Sequence, residues 1–193
     1  MSLKYTKVAP DSFEKIQMNA GVAVTKFNVS TGEVDDTDIL GLTTGGFTFQ
    51  ANVNIADKAE NIDNVPKNTK EFAEITDREV TASTTFVSVD TRLAKLLNAG
   101  ADISGDKITP RDHLDDADFT DFWIVGDYSD ENTGDSAGYI AIHMLNVLST
   151  GGFQMKTTDK QHGEFAATFR AFYSMDALDQ VPYEIYIHKG AAA

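Results

Sequence analysis

Phe47, Phe49, Ala51, Val53 and Ile55 alternate with Thr48, Gln50, Asn52 and Asn54, and this period of two narrows the possible folds more than any other feature. Successive side chains on an extended backbone point to opposite faces, so the stretch predicts a half-buried strand with one apolar face. The same reading holds for residues 80–89, 122–128, 139–148, 153–157, 164–173 and 183–188, with a further early strand at 21–29 ended by Ser30-Thr31-Gly32. Strands this numerous, separated by turn residues, predict a mainly β chain folded as a sandwich or barrel.

Only one stretch reads clearly as a helix. From Asp90 to Gly100, Asp90 or Thr91 can cap the free N–H groups, Leu93, Leu96 and Leu97 form an i, i+3, i+4 stripe, and Gly100 suits the position just past the helix end. Asp11-Ser-Phe-Glu14 has the form of a capping box, but the apolar stripe behind it is short, and a turn fits equally well. The phrases Thr44-Gly-Gly-Phe-Thr-Phe49 and Thr150-Gly-Gly-Phe-Gln-Met155 echo each other at the head of alternating runs. They mark two related entries into a sheet or a coincidence of turn residues.

Sixteen Lys and Arg stand against 30 Asp and Glu in 193 residues, a formal charge of −14. A chain so acidic repels phosphate, and a nucleic-acid-binding surface built on Lys and Arg is not expected. The length suits a single domain with a full core, read here as residues 1–190, with 191–193 a short tail. The absence of cysteine excludes disulfides, thiolate metal sites and a Cys nucleophile, and permits a reducing compartment without requiring one. Residues 1–10 lack the apolar run of a signal peptide, and the longest uncharged stretch, 136–155, is too polar and glycine-broken to span a bilayer. A soluble protein with no membrane partner is the expectation.

Two segments read as loops. Residues 57–77 show no periodicity and mix acids with Lys58, Lys67 and Lys70, while Ile62, Val65 and Phe72 supply the apolar anchors that a disordered linker lacks. Such a loop is expected to order against something. Residues 112–135 carry nine acids and no Lys or Arg, and are best read as a solvated acidic surface.

No motif points to catalysis or to a cofactor. His113, His143, His162 and His188 have none of the spacings of a zinc site. Asp130, Asn132 and Asp135 suggest a cation loop, but counting from Asp130 the glycine falls at position 5 and Ala141 at position 12, where an EF-hand needs Gly at 6 and Glu at 12. Neither a GxSxG elbow nor a phosphate-binding glycine loop is present. Trp123, Tyr183 and Tyr186 offer rings to a sugar, yet aromatics alternating along a strand are best read as core or interface.

Five phrases carry a resemblance: Ile62-Asp-Asn-Val-Pro-Lys-Asn-Thr-Lys-Glu71, Trp123-Ile-Val-Gly-Asp-Tyr-Ser-Asp130, Ile140-Ala-Ile-His143, Leu148-Ser-Thr-Gly-Gly-Phe153 and Val181-Pro-Tyr-Glu-Ile-Tyr186. Together, in order, and preceded by Ile16-Gln-Met-Asn-Ala-Gly21, they resemble the major tail (tail tube) protein of long, non-contractile-tailed phages and prophages of Gram-positive bacteria. The resemblance implies a β-sandwich or barrel with one flanking helix, whose copies form rings, hexamers in the family, that stack into a hollow tube delivering the genome. It implies a virion location with assembly in the host cytoplasm, no enzymatic activity and no cofactor. The implied partners are further copies of the chain, tape-measure, tail-terminator and distal tail proteins, and double-stranded DNA passing through the lumen without sequence-specific binding. By position, the 57–77 loop is the family's bridge between rings, placing Ile62, Asp63, Asn64, Val65, Pro66, Lys67, Asn68, Lys70 and Phe72 at the contact. That loop is expected to be mobile before assembly, and the acidic composition suggests a negative lumen along which DNA slides. A related secretion-type tube, a carbohydrate-binding β-sandwich module and an acidic β hydrolase are the alternatives.

Overall fold

The computed structural model describes residues 15–17, 19–128 and 138–190. The capping-box candidate at 11–14, the cation-loop candidate at 130–135 and the tail at 191–193 lie outside the described residues. The strands are β1 (Val22–Val24), β2 (Thr43–Asp57), β3 (Ala73–Phe86), β4 (Ala101–Ser104), β5 (Lys107–Pro110), β6 (Thr120–Asp127), β7 (Tyr139–Ser149), β8 (Gln154–Lys156), β9 (Glu164–Ala171) and β10 (Tyr183–His188), with one α-helix, α1 (Thr91–Leu97), between β3 and β4. Among the described residues the fold is mainly β and antiparallel with one α-helix, as the alternation and the Asp90–Gly100 pattern predict.

Eight strands share one hydrogen-bonded network in the order β1-β6-β7-β9-β3-β2, with β10 on β7 and β8 on β9. Strand β7 runs along β6 from Val147 to Tyr139 on one edge. Its other edge is divided: Tyr139–Met144 pair with β10, and Val147–Ser149 pair with Ala171–Phe169 of β9. Strand β9 is divided in the same way between β8 and β7, with β3 along its second edge. The network therefore forks into two four-stranded layers, β1-β6-β7-β10 and β2-β3-β9-β8, joined at a corner three residues long.

The core fills the space between the layers. Ala23, Phe122, Ile124 and Met144 come from one layer, Val80, Phe86, Phe165 and Phe169 from the other, and Leu93 and Leu97 of α1 close the open side. The rings of Phe122 and Phe169 meet across the gap at 4.8 Å, and Phe49 meets Tyr183 at 5.6 Å. A smaller cluster of Val24, Phe27, Trp123, Tyr139 and Ala141 lies on the outer face of the first layer.

The helix is capped by Asp90, whose carboxylate accepts the Leu93 N–H at 2.7 Å, and it buries Leu93, Ala94 and Leu97. The left-handed residue after the helix is Ala99 (φ 58°) instead of Gly100. Gly100 is required for a different reason: a Cβ there would stand 2.7 Å from the His113 carbonyl oxygen. That close approach seats the β4–β5 hairpin, which the sequence reading missed because four-residue strands are too short to display alternation.

The acidic segment after β5 is only partly solvated. The Arg111 guanidinium sits among Asp102, Asp115 and Asp118, reaching both oxygens of Asp118 at 2.8 Å, and the Asp118 side chain is 1% exposed. The Asp115 backbone N–H, donating at 2.9 Å, holds the Asp118 carboxyl below the usual carboxylate range, and the nearby Arg111 charge adds to it.

Two predictions follow from this packing. Phe169→Ala empties a fully buried site at the centre of the core, and urea unfolding is expected to register a loss of about 3–5 kcal/mol. Because the folded-state pKa of Asp118 is depressed, its contribution is complete above the ordinary carboxylate pKa of about 3.9 and is lost as pH falls through the lower folded value. Asp118→Asn should lower stability at neutral pH and make the acid decline shallower when urea midpoints are compared across the pH range.

Candidate functional site

Strands β2 and β3 pair from Thr43↔Phe86 out to Asp57↔Ala73, whereas β9 borders β3 only from Thr81 to Phe86. The far half of the β2–β3 pair therefore leaves the sheet as a two-stranded arm. Seven residues of β2, Ala51 to Asp57, give it a reach of about 20 Å at roughly 3.4 Å per residue. The apolar face that meets the core at Phe47, Phe49 and Ala51 continues along the arm as Val53, Ile55 and Ile75, now 39%, 65% and 51% exposed. A register shift between Asn54 and Ile55 leaves Thr76 without an opposite residue and its hydroxyl donating to the Asn54 carbonyl at 3.2 Å; the shift aligns Ile55 with Ile75. This bulge breaks the alternation, which is why 73–77 reads as loop in the sequence and is strand in the structure.

The arm is tied at its tip by Asp57. Its two carboxylate oxygens accept the Ala59 and Asn68 backbone N–H groups, each at 2.8 Å, and the Asn68 bond is the main reason its carboxyl is held below the usual range. Lys58 N–H donates to the Phe72 carbonyl at 3.0 Å, and the Thr69 hydroxyl donates to that of Pro66 at 2.7 Å. Asn64 and Asn68 take left-handed backbone conformations, φ 64° and 61°, which Asn tolerates better than most residues. Of the residues assigned to the loop contact, Ile62, Asp63, Asn64, Pro66, Lys67, Asn68 and Lys70 are exposed, and Val65 and Phe72 are half-buried. All sit between the end of β2 and the start of β3, at the arm's tip.

The layer that carries the arm has open edges on both sides. Among the described residues no strand pairs with the outer edge of β2, and none with the outer edge of β8. Strand β2 is 15 residues long and holds no Lys, Arg or Pro, with Asp57 at its end as its first charge. Natural edge strands are usually shortened or charged to prevent pairing, and this one is neither. The two echoing Thr-Gly-Gly-Phe phrases enter these two edge strands. In the first, Gly45 and Gly46 adopt φ 77° and 75° at a register shift, with the Thr84 hydroxyl donating to the Gly46 carbonyl at 2.8 Å.

The aromatic face of the first layer offers little to a ligand. Trp123 is 8% exposed, stacked on His143 at 3.8 Å and flanked by Phe27 and Tyr186 at 5.6 and 5.7 Å. The Asp121 carboxylate lies 3.2 Å from His143 Nε2, and Glu184 lies 3.7 Å from Nδ1. The Tyr139 hydroxyl donates to the Val29 carbonyl at 2.5 Å, and burial pushes this phenol's pKa up. These rings hold the 25–39 segment against the sheet.

No family model matches the sequence, and no curated protein matches it. Among solved structures, the chain is similar to one described as the tail of an empty gene transfer agent particle with C6 symmetry, at a TM-score of 0.43 and 8% identity, covering 80% of this chain and 92% of that one. It is similar at a TM-score of 0.42 and 8% identity, with the same coverage, to a chain of the virion of a native gene transfer agent particle. Likeness this loose assigns no family.

Asp57→Ala removes the acceptor for two backbone N–H groups at the arm's tip. The expected result is faster amide hydrogen exchange at residues 59 and 68 with an unchanged urea midpoint. Lowering the pH of the parent chain should likewise reduce the protection of these two amides relative to their intrinsic exchange rates at each pH, because a depressed carboxyl pKa means that these bonds are complete above the ordinary value and lost as pH falls through the folded one.

Proposed function

We propose that this chain is the self-assembling subunit of a phage tail tube: a structural, non-catalytic virion protein whose copies join into rings, stack, and form the channel for genome delivery. The observation that carries the reading is the long uncharged edge of β2 in a layer whose opposite edge, β8, is also open. Joining the β2 edge of one copy to the β8 edge of the next satisfies the short β8 row and part of the longer β2 row. The contact is heterologous, and repeating it gives a closed ring when the rotation between copies divides a full turn. The ordered phrases from Ile16 to Tyr186 support the same reading independently of the geometry.

Strand arithmetic calls for about five copies or more, and six, the number the resemblance implies, leave room for a duplex. Each copy brings a four-stranded layer. Six layers, at about 4.8 Å per strand, trace a circumference of about 115 Å and a backbone diameter of about 37 Å before strand tilt widens it, leaving about 27 Å between side chains. Three layers would give a backbone diameter of only about 18 Å, less than a nucleic-acid duplex of about 20 Å requires. In this reading the arm, with Ile62, Val65 and Phe72 at its tip and Val53, Ile55 and Ile75 along its face, reaches the neighbouring ring. Tape-measure, tail-terminator and distal tail proteins cap or fill the tube, which is assembled in the host cytoplasm and carried in the virion.

The test is electron microscopy of concentrated protein, with sedimentation velocity across a concentration series. Rings or hollow tubes of uniform width are expected, and monomer at every concentration, with or without added tail-tip proteins, overturns the reading. Ile55→Lys acts on a side chain that the isolated fold does not bury. Burying an Ile is worth about 1.5–3 kcal/mol, so this variant should unfold like the parent while its assembly threshold rises about tenfold or more.

A further inference from the structure

The face of the β2-β3-β9-β8 layer that turns toward the ring axis follows from where each copy keeps its bulk. One face bears Phe49, Val80, Phe86 and Phe169 and is covered by the second layer and α1. The other face is open to solvent at Thr48, Gln50, Asn52 and Thr168. When such layers join edge to edge around an axis, the covered side needs the longer circumference, because a second layer packed about 10 Å away must fit beside its neighbours. The bare face then has only one place to go, inward.

We propose that this bare face is the lumen wall and that the wall is a near-neutral surface of hydroxyls and amides, although the chain carries a net charge of −14. The proposal rests on the tube reading above. Even-numbered positions of β2 from Thr48 to Asn54 are Thr, Gln, Asn and Asn, and Thr81, Ser83 and Thr85 of β3 stand beside them. The charges on this face are largely paired with one another: Arg170 with Glu79 at 3.5 Å and Lys156 with Glu164 at 3.6 Å. Asp77, midway along the arm, accepts the Asn54 amide at 2.9 Å. Acids such as Asp35, Asp36, Asp115 and Asp116 lie instead in segments flanking the other layer.

This arrangement differs in kind from an electronegative pore. Paired charges of opposite sign cancel beyond a Debye length of about 8–10 Å, so the axis of the channel feels little field. With few unpaired Lys or Arg on the wall, a passing polyanion releases few counterions to it and gains no salt-dependent affinity. Hydroxyls and amides keep a bound water layer and exchange hydrogen bonds with it freely. The wall neither holds nor expels a duplex.

The chain has no cysteine, so a single introduced thiol reports cleanly. Ser83→Cys places it on the bare face, Thr168→Cys gives a second site should position 83 disturb assembly, and Asp106→Cys, at the exposed tip of the β4–β5 hairpin, is the outer control. On going from dilute monomer to tubes, labelling by a bulky polyethylene-glycol maleimide should be lost at positions 83 and 168 and retained at 106. In the tubes, small cationic and anionic methanethiosulfonate reagents should modify positions 83 and 168 in the same rate ratio as in the monomer, at low and high salt alike. Tubes that keep full labelling by the bulky reagent at both positions overturn the inward placement. A rate ratio shifted toward the cationic reagent and restored by salt overturns the neutral wall. Failure of the parent chain itself to form tubes overturns the assembly reading, and this inference with it.

Discussion

The architecture depends on a divided strand edge. A β-strand has two rows of backbone hydrogen-bonding groups, and each row must find partners or water. Strand β7 gives one row to β6 and splits the other between β10 and β9. Without that split, β10 would have no partner and the network would be a single twisted sheet with one apolar face bare. With it, the sheet folds over at Val147–Ser149, and Phe122 and Phe169 are brought together from strands that are not neighbours. The helix then has a defined opening to cover, and Arg111 with its carboxylates fixes the hairpin that follows it.

The same requirement accounts for the surface. Folding satisfies the inner rows of β2 and β8 and leaves their outer rows to water or to another chain. An isolated two-stranded ribbon is marginal at best, and the β2–β3 arm is held by local devices: the Asp57 carboxylate across its tip, the Thr76 bulge, and the Lys58–Glu74 ion pair. None of these buries Ile55 or Ile75. An arm built with this care, yet carrying an apolar stripe into solvent, is economical only if the stripe is covered in the working state of the protein.

Much of this was legible in the sequence. The alternation at Phe47–Ile55 located β2 and its faces, and Asp90 with Leu93, Leu96 and Leu97 located the helix. What escaped depends on long-range pairing. Periodicity says which side chains share a face, not where the neighbouring strand stops; nothing in Val53 or Ile55 separates them from Phe47 or Phe49, although β9 ends between the two groups. Ile75 was hidden because one unopposed residue, Thr76, puts it out of phase. Gly100 suits a helix terminator by its position, whereas the deciding contact is with His113, thirteen residues on. Asp118 lay in a segment whose composition says solvent, and only the reach of Arg111 takes it inside. At the arm's tip, Ile62, Val65 and Phe72 were visible as anchors, but the bonds that order the tip come from Asp57 on the strand before it.

Among the described residues the two open edges are unequal, and in the proposed tube the inequality bears on how copies meet. Strand β2 offers 15 residues and β8 only three, so a single edge contact is short on one side. Against it stands the mutual repulsion of two molecules carrying −14 each. One contact between two copies therefore yields little. A closed ring changes the balance, since the last contact joins ends already held together and no longer loses translational freedom. In the proposed tube, stacking then adds the arms, each covering its apolar stripe against a neighbouring ring. Assembly proposed in this way would be cooperative, slow to begin and stable once begun, and a long uncharged edge on the monomer would then not lead to indiscriminate aggregation.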